Sequence, residues 1–411
     1  MSAVRNYAIV TAGYWGFTLT DGALRMLVLL HFFTLGFTPF QIAFLFVLYE
    51  FFGVVTNLVG GWIGARFGLR FTLYAGLGVQ VAALGMLSLL NPDWPVALSI
   101  AYVVAAQGLA GIAKDLTKMS AKTAIKVVVP GDAHGTLFRW VAILTGSKNA
   151  LKGVGFFLGG VLLATVGFQG ALWVMAGALA LVLVAAIAML TGDLGKAKEK
   201  APFSQILSKS RPINILSAAR MFLFAARDVW FVVGVPIFAY DVLGWSFVQV
   251  GTFLALWVIG YGFVQAAAPA LVQRSPDGLA REVPMARLWA FILAVIPVGI
   301  WAALSQGAEP QLTIVIGLSL FGVAFAVNSA VHSYLILAYS DADKAALNVG
   351  FYYMANAAGR LVGSLLSGLS YQWGGLAACL ATASAFVLAS SLIALALPTR
   401  RPMQDTLAAG E

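Results

Sequence analysis

The residues of this 411-residue chain that are best placed to do chemistry are ionisable side chains inside long apolar stretches. An ionised side chain at the centre of a bilayer costs at least about 2.5 to 3.5 kcal/mol and normally faces a cavity or a solute pathway. Six cations and three anions occupy such positions, and an anionic ligand is the simplest way to neutralise the excess positive charge. The nine residues are Arg25, Lys148, Lys152, Arg220, Arg227, Arg360, Asp21, Glu50 and Asp228.

Helical spacing indicates which of these charges can meet. Asp21 and Arg25 are four residues apart, so they share a helix face and are predicted to pair. Such a pair either fixes helix packing or serves the pathway, and the spacing leaves both roles open. Lys148 and Lys152 are also four apart, about 6 Å along the axis. Their mutual repulsion predicts that something negative lies opposite them.

The remaining buried charges extend this pattern into the second part of the chain. Arg220 and Arg227 are seven residues apart on one helix face. Asp228 lies about 100° further round that helix, so it is predicted to pair with a cation on another helix. Lys152 and Arg360 occupy equivalent depths and are predicted to face a central cavity. Arg220 is also close enough to a span end to extend its charge to the membrane surface instead.

The cation types indicate the class of ligand. Arginine grips an oxyanion through two parallel bonds, whereas lysine acts as a compact point charge. A site containing both suits a ligand with more than one tetrahedral oxyanion. Lys114 and Lys118 sit at a predicted span end, where a vestibule role and simple anchoring are both open. Mid-span polar residues that could line the same cavity are Tyr14, Gln107, Asn149, Tyr261, Asn328 and Asn356.

The composition excludes an ordinary soluble protein. Hydrophobic residues make up 61% of the chain and charged residues 10%, against about 45 to 50% and about 25% in soluble domains. The single cysteine rules out a disulfide within the chain. We find no phosphate-binding loop, no H-E-x-x-H spacing and no nucleophile elbow, so we expect neither an enzyme nor a cofactor or bound metal.

Apolar runs punctuated by glycine, proline and charge predict twelve membrane helices. The loops after the odd-numbered spans carry no lysine or arginine, whereas the opposite loops and both tails carry most of them. By the positive-inside rule both termini are expected in the cytoplasm, and the net charge of +9 is a topology signal, not a sign of nucleic-acid binding. The predicted spans are 7–35, 39–64, 71–90, 95–117, 137–166, 170–191, 213–240, 246–272, 286–305, 311–338, 346–372 and 375–397.

An internal repeat divides the twelve spans into two halves. The segment GFTPFQI, residues 36–42, recurs as GWSFVQV 208 positions later. At the same offset Lys152 corresponds to Arg360 and Gly160 to Gly368. We therefore predict an all-α membrane protein of two six-helix halves, the plan of the major facilitator transporters. The predicted parts are a first half at 1–195, a cytoplasmic linker at 196–212, a second half at 213–398 and a cytoplasmic tail at 399–411.

One loop carries a signature of that superfamily. The sequence GWIGARFGLR, residues 61–70, resembles its G-x-L-A-D-R-x-G-R-R loop. Ala65 stands where the superfamily has an aspartate, so the charge relay attributed to that loop lacks its acidic residue here. A glycine turn with cytoplasmic arginines would account for most of the same residues.

Longer segments in both halves carry a closer likeness. They are YWGFTLTDGALRM (14–26), YEFFGVVTNLVGGWIGAR (49–66), GIAKDLTKMSAK (111–122), RWVAILTGSKNALKGVGFFLGG (139–160), NILSAARMFLFAARDVWFVV (214–233) and ALWVIGYGFVQ (255–265). These segments resemble the organoarsenical efflux permeases encoded in bacterial arsenic-resistance operons.

The resemblance implies a specific function. Such permeases are understood to export 1-arseno-3-phosphoglycerate, which glyceraldehyde-3-phosphate dehydrogenase forms when arsenate replaces phosphate. It implies a multi-pass protein of the bacterial inner membrane, a small anionic substrate and a functional link to that dehydrogenase, and we expect a monomer. The six buried cations would bind substrate, and Asp21, Glu50 and Asp228 would pair with them or couple transport. Export of another organophosphate or drug-like anion, or a non-transporting sensor with this fold, remains an alternative.

Overall fold

The computed structural model describes residues 2–128, 134–190, 210–271, 279–340 and 345–399. Within these ranges the chain is almost entirely helical and has no β-strand. The elements are α1 (Ser2–Thr34), α2 (Pro39–Leu45), α3 (Val47–Ser88), α4 (Val96–Val128), α5 (His134–Met189), α6 (Arg211–Val229), a π-helical turn (Trp230–Gly234), α7 (Val235–Ile237), a second π-helical turn (Phe238–Val242), α8 (Phe247–Leu271), α9 (Glu282–Ser305), α10 (Pro310–Ala338) and α11 (Ala345–Ala394).

Ten helical segments in the described ranges are long and apolar enough to cross a membrane. Two of them, Ser147–Met189 and Asn348–Ala394, have 43 and 47 residues. At about 1.5 Å per residue each is at least about 65 Å long, twice the thickness of the hydrocarbon core. Each is interrupted by a glycine with positive φ, Gly167 at 69° and Gly375 at 60°. The ten segments therefore correspond to twelve crossings, and the predicted all-α fold is confirmed.

Some sequence predictions differ from the structure or fall outside it. Helix α4 continues to Val128, eleven residues beyond the predicted end of the fourth span. The linker predicted at 196–212 lies outside the described residues except for 210–212, and the tail predicted at 399–411 lies outside them except for residue 399. The side chain of Ala65 in the signature loop is also outside the described part. These domain boundaries therefore stay predictions.

The spans before the predicted linker form what we call the N-terminal half, and those after it the C-terminal half. The most enclosed spans are the first of each half, Arg5–Thr34 and Arg211–Val242. Helix α1 packs against α5, and α6 packs against α11. Bulky apolar side chains such as Leu181, Phe263 and Trp373 are 72 to 76% exposed. In a chain that spans a membrane, these exposed faces are suited to contact lipid.

The helix that starts with α6 does not keep a regular α-helical ladder. It passes through the two π-helical turns, with the short α7 between them. The hydroxyl of Ser367 on α11 accepts the backbone N–H groups of Val233 and Gly234 at 3.0 and 3.1 Å. These bonds satisfy amides that a π turn leaves poorly placed for their usual partners.

Glycines bring the two halves into backbone contact at one end of the bundle, which we call the glycine contact. A Cβ built on Gly160 of α5 would lie 2.4 Å from the carbonyl oxygen of Phe247 in α8. A Cβ on Gly368 of α11 would lie 2.2 Å from the carbonyl oxygen of Pro39 in α2. No side chain fits at these distances, so small residues are required for the helices to approach this closely.

Gly368→Ala is expected to separate the two halves at the glycine contact, because its methyl group would overlap Pro39 and the side chain of Ala43. The measurement is disulfide cross-linking between Phe40→Cys and Gln372→Cys. Those positions face each other, since the Phe40 amide donates to the Gln372 side chain at 3.3 Å. The rate of cross-linking should fall severalfold in the alanine variant.

Gly177→Ala is the matched control for this substitution. Gly177 is helical, and a Cβ built there meets no atom within 4 Å. The native cysteine, Cys379, is buried and should not interfere. Equal cross-linking rates in both alanine variants would show that the glycine contact does not need a glycine.

Candidate functional site

A polar cavity of about 180 Å³ lies among five helices of the described structure. Four of these helices belong to the N-terminal half (α1, α3, α4 and α5), and α11 belongs to the C-terminal half. The lining residues are Tyr14, Phe17, Thr18, Asp21, Glu50, Gly53, Asn57, Lys114, Asp115, Lys118, Lys148, Lys152, Tyr353, Asn356, Ala357 and Arg360. On each helix most of these residues are three or four positions apart, which is the spacing of a single helix face.

The cavity is strongly charged and has a positive excess. Its lining contains five cations and three carboxylates, a formal excess of two positive charges at pH 7. Within an apolar bundle such charges are weakly screened, so an anion entering the cavity gains more than it would in water. The lining therefore favours a negatively charged ligand.

Asp21 is held by residues from two other helices. Its carboxylate accepts a 2.5 Å hydrogen bond from the Tyr49 hydroxyl and lies 3.3 Å from the Lys152 ammonium group. The predicted pairing of Asp21 with Arg25 is wrong. Arg25 instead points toward α3, where its guanidinium lies 5.4 Å from the centre of the Tyr49 ring and bonds Glu50. The four-residue spacing would allow Asp21 and Arg25 to pair, but each of them binds residues of neighbouring helices instead.

A chain of five alternating charges, which we call the ion ladder, crosses between the halves. Glu50 accepts hydrogen bonds from Arg25 at 2.5 Å and from Arg360 at 2.7 Å. Arg360 also lies 3.4 Å from Asp228, whose carboxylate accepts a 2.6 Å bond from Nε of Arg227. The prediction that Asp228 pairs with a cation on another helix is thus confirmed, although Asp228 contacts its neighbour Arg227 as well.

The Asp115 carboxylate binds two polar side chains on the α4 side of the cavity. Asp115 accepts a hydrogen bond from the Thr56 hydroxyl and lies 3.2 Å from the Lys118 ammonium group. Lys118 also donates to the side-chain oxygen of Asn57 at 2.7 Å. These contacts tie α4 to α3 and fix the position of the Lys118 charge.

Lys114 is a cavity cation whose importance the sequence reasoning missed. Its ammonium group lies over the Tyr49 ring, 3.9 Å from the ring centre. None of the carboxylates in the described residues lies within 4 Å of it. The sequence placed Lys114 near the end of a span that stopped at residue 117, whereas α4 runs well beyond that point. The i, i+4 spacing of Lys114 and Lys118 was the signal that could have identified them as one cavity face.

The six cations predicted to bind substrate divide into two groups. Lys148, Lys152 and Arg360 line the cavity. The other three are Arg25, Arg220 and Arg227, and none of them is among the described side chains that line it. Arg25 lies behind Glu50, and Arg227 is held by Asp228 against the Phe231 ring. Geometry therefore does not support direct ligand contact by these three arginines.

Arg220 does not reach the membrane surface, which was the alternative to a role in the pathway. Only 3% of the residue is exposed, so it does not extend its charge to the surface. Its guanidinium donates to the carbonyl oxygen and the hydroxyl of Ser329 on α10, at 3.0 and 2.9 Å. Arg220 is therefore enclosed within the C-terminal half.

The cavity brings together two of the six residues predicted as polar lining. Tyr14 and Asn356 line the cavity. The other four are not among its described lining residues. Gln107 and Asn328 are buried at 2% and 0% exposure, and the Tyr261 hydroxyl bonds Ser329 at 3.3 Å. Asn149 is also not among the lining residues, and the structure places its Cβ beside Gly262 of α8.

Solved transporter structures show the same fold over nearly the whole chain. One comes from a study of substrate recognition in proton-dependent oligopeptide transporters, with a TM-score of 0.72, 15% identity, and coverage of 96% of this chain and 98% of that one. Another is a bacterial homologue of the iron transporter ferroportin in an inward-facing state, with a TM-score of 0.72, 14% identity, and coverage of 96% and 99%. At these identities the likeness shows the fold alone.

A sequence relative and a family model complete the comparison. The chain is 28% identical over 235 residues to the tetracenomycin C resistance and export protein of Streptomyces glaucescens. That match covers 56% of this chain and 38% of the length of the relative. The model of the Major Facilitator Superfamily matches residues 10–327, and the chain therefore belongs to this superfamily of multi-pass membrane transporters.

Proposed function

We propose that this transporter exports a small organic anion with more than one oxyanion group. The observation that carries the proposal is the positive excess of the cavity, whose lining has five cations against three carboxylates. Arg360 and Lys152 supply the two kinds of contact that oxyanions favour, a planar fork and a point charge. Lys114 adds a cation without a carboxylate within 4 Å in the described structure.

The carboxylates bound to the cavity cations occupy positions that a substrate oxyanion could take. Glu50 and Asp228 bind Arg360, while Asp21 binds Lys152. An oxyanion entering between these cations would compete with the carboxylates for the same N–H groups. Binding would then weaken the contact between Arg360 on α11 and Glu50 on α3, which joins the two halves. This competition gives a physical link between substrate binding and movement of the halves.

The size of the cavity favours a small molecule over a large one. Pockets for drug-sized ligands usually have volumes of about 300 to 1,000 Å³. The described cavity has about 180 Å³, which suits a substituted three-carbon acid better than a polycyclic compound.

Within this class we propose 1-arseno-3-phosphoglycerate as the substrate, with arsenate resistance as the result. Two lines of support are the sequence resemblance to organoarsenical permeases and the pair of oxyanion groups on this molecule. The proposal includes a bacterial inner membrane location with both termini in the cytoplasm, a monomeric transporter and a functional link to glyceraldehyde-3-phosphate dehydrogenase.

Export of another organophosphate or of a drug-like anion is the second candidate. It is favoured by the relative named for tetracenomycin C resistance and export. The charge of the cavity fits both an organoarsenical and an organophosphate, because phosphate and arsenate groups are both tetrahedral oxyanions. A sensor that keeps this fold without turnover would bind the ligand but would not move it.

The test is arsenate resistance in a bacterial host that lacks its own arsenate efflux and its own glyceraldehyde-3-phosphate dehydrogenase. The host expresses the transporter, the dehydrogenase, both proteins or neither. Resistance is expected only with both proteins, since the dehydrogenase makes the substrate and the transporter removes it. Resistance with the transporter alone would reject the organoarsenical, and no resistance despite normal membrane levels would favour the second candidate.

A further inference from the structure

The most enclosed cation in the described structure lies outside the transport cavity. Arg220 is 3% exposed, and its guanidinium donates to two oxygens of Ser329. Its Nε atom has no hydrogen-bond partner in the described residues. Its guanidinium lies 4.1 Å from the centre of the Phe224 ring and 5.0 Å from that of Tyr352. Aromatic contacts of this kind stabilise a cation but do not neutralise it.

Arg220 also has no counter-charge within ion-pair distance in the part of the chain that the structure describes. The acidic residue of its own helix, Asp228, is eight positions away, about 12 Å along the axis. That carboxylate is already bound by Arg227 and Arg360. A buried charge without a partner is strongly unfavourable, so Arg220 would be stabilised by a negative charge placed beside it.

Buried polar groups without hydrogen-bond partners in the described structure lie on the two helices that Arg220 joins, α6 and α10. Asn328 and His332 are one turn apart on α10 and are both 0% exposed. Neither amide atom of Asn328 and neither ring nitrogen of His332 has a hydrogen-bond partner in the described structure. The Ser217 hydroxyl, one turn before Arg220 on α6, is also without one. Such groups in a native protein usually mark a missing water or ion.

The donor chemistry of this group favours an anion over water alone. Arg220 Nε, the Asn328 amide, one ring N–H of neutral His332 and the Ser217 hydroxyl can all donate hydrogen bonds. Water would satisfy these donors but would leave the arginine charge uncompensated. A small anion supplies both the acceptor and the negative charge.

We propose that a small inorganic anion of the size of chloride binds beside Arg220, between α6 and α10. The site is separate from the transport cavity, because none of Arg220, Asn328 and His332 is among the described residues that line that cavity. The anion would be a resident component of the C-terminal half that stabilises the packing of α6 against α10. It is distinct from the transported molecule.

The test uses the purified full-length protein in detergent and measures the thermal unfolding midpoint, Tm. Sodium chloride replaces sodium gluconate stepwise at constant ionic strength. A ligand that binds only the folded state raises Tm in a saturable way, so Tm should rise with chloride in the wild-type protein. Arg220→Gln should lose this response or weaken the apparent chloride affinity by about tenfold or more.

Arg287→Gln is the matched control, because Arg287 also donates to backbone carbonyl groups, those of residues 394, 395 and 397. Its Tm should be lower at every chloride concentration but should respond to chloride as the wild type does. Asn328→Leu provides a variant that keeps the arginine, and it should weaken the chloride response without preventing folding. Bromide substitution should place an anomalous scattering peak beside Arg220.

Three results would overturn the anion site. One is a wild-type Tm that is the same in chloride and gluconate, which would mean that water alone fills the group. Another is an unchanged chloride response in both Arg220→Gln and Asn328→Leu. A third is a bromide peak in the transport cavity and none beside Arg220. Replacing chloride by phosphate distinguishes a halide-sized site, which phosphate would not stabilise, from one that holds the anionic end of a larger ligand.

Discussion

Glu50→Gln is expected to remove most of the folded protein from the membrane. Glu50 is 1% exposed and binds both Arg25 and Arg360. Removing one partner of a buried ion pair costs about 3 to 5 kcal/mol, a large share of the typical total stability of about 5 to 15 kcal/mol. The measurement is the yield and Tm of detergent-extracted protein, followed by size-exclusion chromatography.

Glu309→Gln is the matched control for this change. Glu309 caps the start of α10 by accepting the backbone N–H groups of Gln311 and Leu312, and it lies at the exposed surface. The control should lose about 1 kcal/mol or less. Adding Arg25→Gln to Glu50→Gln should restore part of the yield, because it removes one uncompensated cation. If Glu50→Gln matches the control in yield and Tm, the ion ladder does not stabilise the fold.

Arg360→Gln is expected to weaken substrate binding by about 10 to 150 times. A charge-assisted hydrogen bond contributes about 1.5 to 3 kcal/mol, and each 1.4 kcal/mol is a factor of ten in Kd. Arg360 lines the cavity and is the one ladder member on α11. The measurement is calorimetric titration of the purified protein with 2,3-bisphosphoglycerate, a stable three-carbon acid with two phosphate groups and a carboxylate.

Arg227→Gln separates the binding role of Arg360 from its structural role. Both arginines bind Asp228, but the described cavity lining includes only Arg360. The two variants should lose stability to a similar extent, whereas the affinity for the bisphosphate should fall mainly in Arg360→Gln. Equal losses of affinity in the two variants would contradict the conclusion that Arg360 contacts the ligand and Arg227 does not. Failure of the wild type to bind the probe would count against the proposed substrate class.

The sequence predicted the fold and the most informative charges because both depend on strong local signals. A span of about twenty apolar residues is visible in one stretch of chain, and the cost of an ion in lipid singles out residues such as Lys152 and Arg360. The repeat that related these two residues predicted that they lie in corresponding helices. Both line the cavity in the structure.

The pairing of charges could not be predicted in the same way. Helical spacing reports only on neighbours within one helix, and it led to the wrong partner for Asp21. The actual partners, Tyr49 and Lys152, come from α3 and α5 and depend on how those helices pack. The sequence also did not show that Lys114 lies in the cavity, because hydropathy alone does not show where α4 leaves the apolar region.

The π-helical turns after α6 have a mechanical consequence for the ion ladder. A π turn holds about one residue more than an α turn. If one of them became α-helical, the helix segments on its two sides would rotate relative to each other by about 100° about the helix axis. They would also shift by about 1.5 Å along that axis. Asp228 lies two residues before the first residue of the first π turn, Trp230. A change of winding in this short segment would therefore swing the Asp228 carboxylate away from Arg360 while α11 stays in place.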